Sequence, residues 1–341
     1  MKDILTPILE QIAEADITPV RNFLYENPGE PLVATGSGGA ESAADLLALL
    51  YGARGGVATA VSPMTLNSFS DSSLRTSKIL LISKGGHNKD IIFATRRGLK
   101  ANPEKTAGIF LYEGERNESR KILLKAKSKN SFSIPLSQTT DGFVATGTTF
   151  AYFALLARIF QPEVDILKYK DIPETPYTIC LNDGTPLKIE DLNKVNSYLI
   201  LHGSWGRPVA ISLEGKLVES SLATASVFDF RNYCHGRFIY TSNHLDDSAI
   251  VMLISPREKK IAQNIRKFLP KTAKLILIET EKDAPEASLD QLIRSTKFFH
   301  DACDLKGVNP KSPANPGRID KRRPISIPFT EELKKHGPLT L

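Results

Sequence analysis

What most constrains this chain is an alternation that runs through it twice: a short apolar run, a glycine turn, then a helical pattern. Pro31–Thr35 ends in Gly36-Ser37-Gly38-Gly39 and leads into a helical stretch over Glu41–Tyr51. Val57–Val61 predicts a second strand. Lys78–Ser83 predicts a third, closed by Lys84-Gly85-Gly86 and followed by a helix near His87–Gly98. Thr106–Tyr112 and Ser131–Pro135 read as further strands, and Thr146–Phe160 as a strongly apolar, buried helix. The pattern then returns. Tyr198–His202 is a strand ending at Gly203-Ser204-Trp205-Gly206, and a helix follows from about Val209 to Thr224. Arg237–Thr241, Ser248–Ser255 and Lys274–Ile278 read as strands, with helices over Glu258–Phe268 and Leu289–Cys303. Strands that alternate with helices require a parallel sheet covered on both faces. Two such series predict an α/β chain with an internal pseudo-repeat.

Two domains also suit 341 residues, at roughly 100–200 residues per domain. The expected division is an N-terminal helical segment over 1–27, a first domain over 28–165, a linker over 166–190, a second domain over 191–310 and a tail over 311–341. The linker is polar and marked by Pro173, Pro176 and Pro186. Leu5, Ile8, Leu9 and Ile12 give the N-terminal segment an amphipathic helical face, while Asp3, Glu10, Glu14 and Asp16 interrupt the apolar stretch a signal peptide needs. No apolar run approaches the ~18 residues of a membrane span. Cys180, Cys234 and Cys303 lie far apart with no CxxC pair, which argues against a disulfide framework and a zinc site. A cytoplasmic protein without metal, cofactor or membrane contact is expected. The net charge of +6 suits an anionic ligand, yet no basic stripe with interleaved aromatics appears, so nucleic acid is not an expected partner. The cluster Arg318, Lys321, Arg322, Arg323 reads as a solvated tail.

In an open parallel sheet, ligands sit at the carboxyl ends of the strands. The turns Gly36–Gly39 and Ser83–Asn88 both hold that position and both open helices. A helix N-terminus offers unpaired N–H groups and partial positive charge to an anion. Ser37, Ser83, Lys84 and Asn88 add donors, with Gly36, Gly38 and Gly86 allowing close approach; ordinary strand–helix turns favour the same residues. In the second half, Lys216 and Glu219 share a helix face. His235 follows 16 residues after Glu219, beyond a loop with Asp229, Arg231 and Asn232. An ammonium, a carboxylate and an imidazole are the groups aldose–ketose interconversion needs. An exposed Lys–Glu pair and a loop histidine give the same pattern without chemistry. His87 begins a helix in the Ser83–Asn88 loop; His202 reads as a core residue, Trp205 as packing or stacking on a ligand, and His244, His300 and His336 have no evident partner.

The segment LEGKLVESSLATASVFDFRNYCHGRF (213–238) resembles the second sugar isomerase (SIS) domain of the glucosamine-6-phosphate synthase family, which shows LEGALKLKE and a loop ending in KHGP. The family's K-x-x-E corresponds to Lys216–Glu219 and its HG to His235-Gly236, at the same spacing. Its A-C-G-T-S resembles Ala34–Gly38, its phosphate loop S-Q-S-G-E-T resembles Ser83–Asn88, its G-V-A-S-T resembles Gly142–Thr146, and its K-G-x-D resembles Lys306–Asn309. The resemblance implies two tandem SIS-type three-layer α/β/α sandwiches with parallel sheets. It implies Glu219 as the isomerisation base, His235 as the ring-opening group, Lys216 as their electrostatic partner, and Thr146 as a sugar contact. It also implies a homodimer in which His235 reaches the neighbouring subunit's site.

The departures carry information. Gly85 and Asn88 replace the second serine and the threonine of the phosphate loop. The family's HGP is HGR here, which puts Arg237 near the site. The condensing lysine of the family's C-terminus corresponds to Lys311 or Lys321. Nothing resembling the glutaminase domain precedes the first SIS region, so glutamine-dependent transfer in cis is not expected. The function implied is a sugar or sugar-phosphate isomerase, of aldose–ketose type or a related deglycase or aminotransferase, working through an enediol or enolamine. The alternative is a non-catalytic sugar-phosphate sensor or partner-regulating protein.

Overall fold

The computed structural model describes residues 2–126, 130–137 and 141–313. Ten strands form two five-stranded sheets. The first holds β1 (Leu32–Gly36), β2 (Ala58–Val61), β3 (Lys78–Ser83), β4 (Thr106–Phe110) and β5 (Ser131–Ser133). Their order is β2-β1-β3-β4-β5, and every pairing is parallel, with Val33 beside Thr59 and Ile79. Every residue of β1, β3 and β4 is buried. Continuous burial is what a strand covered on both faces requires, and it explains why these segments are apolar runs rather than alternations. On one face Val33, Ile79 and Leu81 pack with Leu66, Leu74, Ala94 and Ala101 from the covering helices.

The second sheet holds β6 (Thr178–Leu181), β7 (Ser197–His202), β8 (Thr224–Asp229), β9 (Ser248–Ile254) and β10 (Lys274–Glu279), in the order β6-β10-β9-β7-β8. Four strands are parallel, and β6 joins β10 antiparallel at the edge. Its core face gathers Leu199, Leu201, Ile250, Met252, Leu275 and Leu277 with Ala262 and Ile265. On the other face Tyr198 meets Phe298 of the Glu286–Leu305 helix edge to face, ring centroids 5.8 Å apart. Both sheets are thus α/β layers of parallel strands between helices, as the alternation predicted.

By contacts the described residues form two compact units, one of 7–126, 130–137 and 151–164 around the first sheet, the other of 2–6, 141–150 and 165–313 around the second. Three local readings are corrected. The polar stretch read as linker contains the edge strand β6. The expected Val209–Thr224 helix ends at Glu219, and Thr224 opens β8 instead. Arg237–Thr241, read as a strand, is a turn followed by the Phe238–Asn243 helix. Ser221 at φ +60° marks the missed helix end; it holds the left-handed position a glycine usually announces.

Candidate functional site

In the first unit β1 is flanked by β2 and β3, so the sheet changes direction there and the crevice at its carboxyl end is bounded by the β1 and β3 turns. The Gly39–Ala53 helix starts from Gly38 at φ +58°, with no side chain capping its first N–H groups. Gly36 tolerates no side chain, because a Cβ there would stand 2.4 Å from the Ala40 carbonyl oxygen. Ser37 is half-buried between them. In the β3 turn, buried Ser83 accepts the Gly86 N–H on Oγ at 3.1 Å, and Asn88 Oδ1 accepts from Asp90 N at 2.8 Å, capping the Lys89–Ala101 helix. Both side chains therefore use acceptor oxygens on the backbone and retain donor hydrogens. Gly86 holds φ +60°, and its carbonyl accepts from Ser119 N at 2.9 Å. Lys84 is half-buried with its carbonyl bonded to Leu111 N, and the exposed His87 ring lies against Gly85.

The second unit concentrates its charged chemistry at the far end of the Arg207–Glu219 helix. Lys216 is 4% exposed, and its ammonium donates to Ser212 Oγ one turn earlier. Burial pulls its pKa down to about 8, against the opposing pull of the Glu219 and Asp141 carboxylates. Glu219 occupies the last helical position and is exposed as a residue. Burial of its carboxyl nonetheless raises its pKa; Lys216 opposes this and Glu214 adds to it.

Asp141, which the sequence reading did not single out, completes the group. Its carboxylate accepts from the backbone N–H of Thr146 (2.9 Å), Gly147 (2.6 Å) and Thr148 (3.0 Å), and from the Thr148 hydroxyl, so it caps the Gly147–Phe160 helix and shapes the loop carrying buried Thr146. Lys311 lies against this loop. Its carbonyl accepts from Phe143 N at 3.0 Å, and a Cβ on Gly142 would stand 2.2 Å from its Cα. Lys321, the other C-terminal candidate, lies outside the described residues, as do His336 and the basic cluster 318–323. A carboxylate placed five to seven residues before a T-G-T helix start was the signal for Asp141, and the i, i+4 spacing was the signal for Ser212.

His235 follows β8 in a turn with Gly236 at φ +107°. It is exposed and has no hydrogen bond or ion pair among the described residues, so the structure does not join it to Glu219. Arg237 lays its guanidinium over the Phe228 ring, 4.8 Å from the centroid. Both Gly236 and Arg237 line a cavity of about 340 Å³ with Ser197, Thr224, Ser226 and Tyr240. His202, at the end of β7, is buried with Nδ1 2.8 Å from the Gly203 carbonyl, as its core reading expected. Trp205 is buried, and its carbonyl accepts from Ser288 Oγ at 2.6 Å. His244 stacks on Tyr240, and His300 meets Phe299 edge to face. Among the described residues, no cluster of three or more His, Cys, Asp or Glu side chains could hold a metal, the three cysteines are free, and no helix is long and apolar enough to cross a membrane.

No family model matches the chain, and no curated protein matches it in sequence. Solved structures match over nearly its whole length. The tagatose-6-phosphate ketose/aldose isomerase of Escherichia coli is 16% identical, with 93% of this chain and 95% of that one covered and a TM-score of 0.68. The C-terminal domain of the glucosamine-fructose-6-phosphate aminotransferase of Francisella tularensis is 16% identical, covering 91% and 97%, with a TM-score of 0.66. The glucosamine-6-phosphate deaminase of Thermotoga maritima is 14% identical, covering 92% and 98%, with a TM-score of 0.63. The chain has the SIS fold. At these identities the likeness is one of architecture.

Proposed function

We propose that the chain is a phosphosugar isomerase built from two SIS domains in tandem, over 28–165 and 191–310, acting on an aldose or ketose phosphate or, by the same enediol or enolamine logic, as a deglycase or aminotransferase. The observation that carries this reading is the pairing on one helix of a buried ammonium, held near pKa 8, with a carboxylate whose pKa is raised. Perturbed acid–base groups placed together are what proton transfer between adjacent carbons needs. In this scheme Glu219 takes the proton from C2 and returns it to C1, and Lys216 steadies the developing enediolate oxygen. The backbone N–H groups of Gly36–Gly38 and of the Ser83–Asn88 turn hold the phosphate, with Lys84 adding charge and Thr146 meeting the sugar.

His235 opens the sugar ring, and its exposure and lack of partners suit service at the site of a second copy, as a homodimer. The structures of similar fold include an isomerase, a deaminase and an aminotransferase domain. The test is exchange of the substrate's C2 proton with solvent deuterium across a panel of hexose and hexosamine phosphates. Wild-type protein is expected to exchange, and Glu219→Gln to slow exchange by about 10²–10⁴-fold while binding persists. Tight binding without exchange in the wild type would replace this reading with that of a phosphosugar sensor.

A further inference from the structure

The cavity beside Arg237 lies on the opposite face of the second sheet from Lys216. Successive strand residues point to opposite faces. Tyr198 packs on Phe298 of the Glu286–Leu305 helix, which lies beside the Arg207–Glu219 helix. Its neighbour Ser197 therefore faces the other way, and in register with it are Thr224 and, two and four residues along, Ser226 and Phe228. The Phe238–Asn243 helix roofs this face, and the space left holds about 340 Å³. That is the lower end of the range for small-molecule sites, roughly 300–1,000 Å³.

The chemistry of the walls is specific. Arg237 is the cation among the lining residues, no carboxylate lines the cavity, and no ion pair among the described residues neutralises it. The Phe228 ring fixes the guanidinium plane from one side, which leaves its edge donors for a two-pronged contact with an anion. Four hydroxyls, from Ser197, Thr224, Ser226 and Tyr240, line the cavity together with Leu199, and that of Thr224 donates to the Asn196 carbonyl at 3.0 Å, which leaves its lone pairs to accept. The Tyr240 hydroxyl lies 3.4 Å from Ser197 Oγ, too far to hold either group firmly, so both can turn to a ligand.

We propose that this cavity is a second ligand site, distinct from the Lys216–Glu219 pair, and that it takes a small polyol bearing one anionic group, a phosphate monoester or a carboxylate. Arg237 then serves this site rather than the isomerisation centre. The experiment is a crystal soak and calorimetric titration of the full chain with glucose 6-phosphate and with gluconate, sorbitol serving as the uncharged control. Arg237→Gln removes the cation, and Ser226→Leu fills the cavity at an exposed edge-strand position while leaving Arg237 in place. Density in the cavity is expected with one or both anions and not with sorbitol, and each variant should weaken that binding by about tenfold or more. Strength with glucose 6-phosphate but not gluconate assigns the phosphate, and the reverse assigns the carboxylate. The proposal is overturned by an empty cavity in soaked wild-type crystals, or by loss of binding in Arg237→Gln with none in Ser226→Leu, which would return Arg237 to the substrate site. Because the readout is occupancy of this cavity, failure of the isomerase reading would leave it untouched.

Discussion

The two sheets present the same crevice in different conditions. In the first unit, the turns after β1 and β3 are made of backbone and small side chains: Gly36, Gly38 and Gly86 shape them, and Ser83 closes one turn by accepting the Gly86 N–H. In the second unit the corresponding turns follow β7 and β9, and a carboxylate of the chain itself occupies them. Glu258 is buried and accepts from Ser255 N at 3.0 Å and from the Ser255 hydroxyl, and a Cβ on Gly203 would stand 1.9 Å from its Oε1. An anion built into the protein satisfies the donors that a bound anion would otherwise take. The difference teaches that one architecture can be kept open for a ligand or closed from within. The perturbed charges of the second unit, Lys216 and Glu219, lie instead at the opposite end of the helix that follows β7.

The largest expected effect breaks the open crevice. Gly86→Ala places a side chain at φ +60°, where its Cβ would stand 1.9 Å from Asn117 Oδ1. The left-handed backbone costs about 1–2 kcal/mol and the overpacking about 1–3 kcal/mol, together about 2–5 kcal/mol. Chemical denaturation should show that loss, and phosphosugar affinity should fall with it. Retained stability and affinity would mean that the β3 turn has no fixed shape to protect.

The contrast between the crevices also explains what the sequence could and could not disclose. The first crevice was legible because its devices are residue types: glycines after apolar runs, and serine or asparagine before a helix. The second was not, because the plug depends on the Glu258 side chain turning back onto Ser255, and a glutamate at a helix start is common. Lys216 and Glu219 were legible as a pair at helical spacing. Their environment was not, since Asp141 arrives from 75 residues earlier in the chain. The missed β8 and the misread Arg237–Thr241 have a shared cause. Ser221 ends the helix without a glycine, so the helix reads on to Thr224 and the weak strand that starts there reads as loop. The aromatic and β-branched run RFIYT then took the strand's place in the reading, although Phe238, Ile239 and Tyr240 are all exposed on a short helix. Tertiary context overrode local propensity in both segments.

The second expected effect tests whether the second unit bears a cost for its displaced charges. The Lys216 pKa falls from 10.5 to about 8 on folding. Between those values the unfolded chain binds more protons than the folded one, so stability rises as pH climbs through that window. Below pH 8 the buried ammonium carries its full cost, of order 3 kcal/mol as an upper bound. Lys216→Met should therefore stabilise the protein at pH 7, less as pH passes 8 toward 10.5, and abolish deuterium exchange. Equal stability of variant and wild type at pH 7 and at pH 10 would show that Ser212, Glu219 and Asp141 compensate the ammonium in full.

The smallest effect reads the closed crevice itself. His202 sits at its floor, among Asp229, Glu258 and Arg207, and burial lowers its pKa from the ordinary 6.5 more than the two carboxylates raise it. A carbonyl oxygen only accepts, so the 2.8 Å contact with the Gly203 oxygen places the ring proton on Nδ1 and leaves Nε2 bare in the neutral imidazole. The folded state resists protonation that the unfolded chain accepts below pH 6.5, so stability is complete above that pH and declines as pH falls toward the folded value. The slope for one group cannot exceed about 1.4 kcal/mol per pH unit, and His300, also lowered by burial, contributes in the same sense. His202→Gln should remove part of the decline in Tm between pH 7 and 5, and His202→Gln with His300→Asn should remove more. Inorganic phosphate then separates the two crevices. Bound beside His202, it would favour the imidazolium and flatten the wild-type decline; bound only at the β1 and β3 turns, it raises Tm by a similar amount at both pH values. The filled crevice predicts the second pattern, and the first would show that Glu258 yields its place to a ligand.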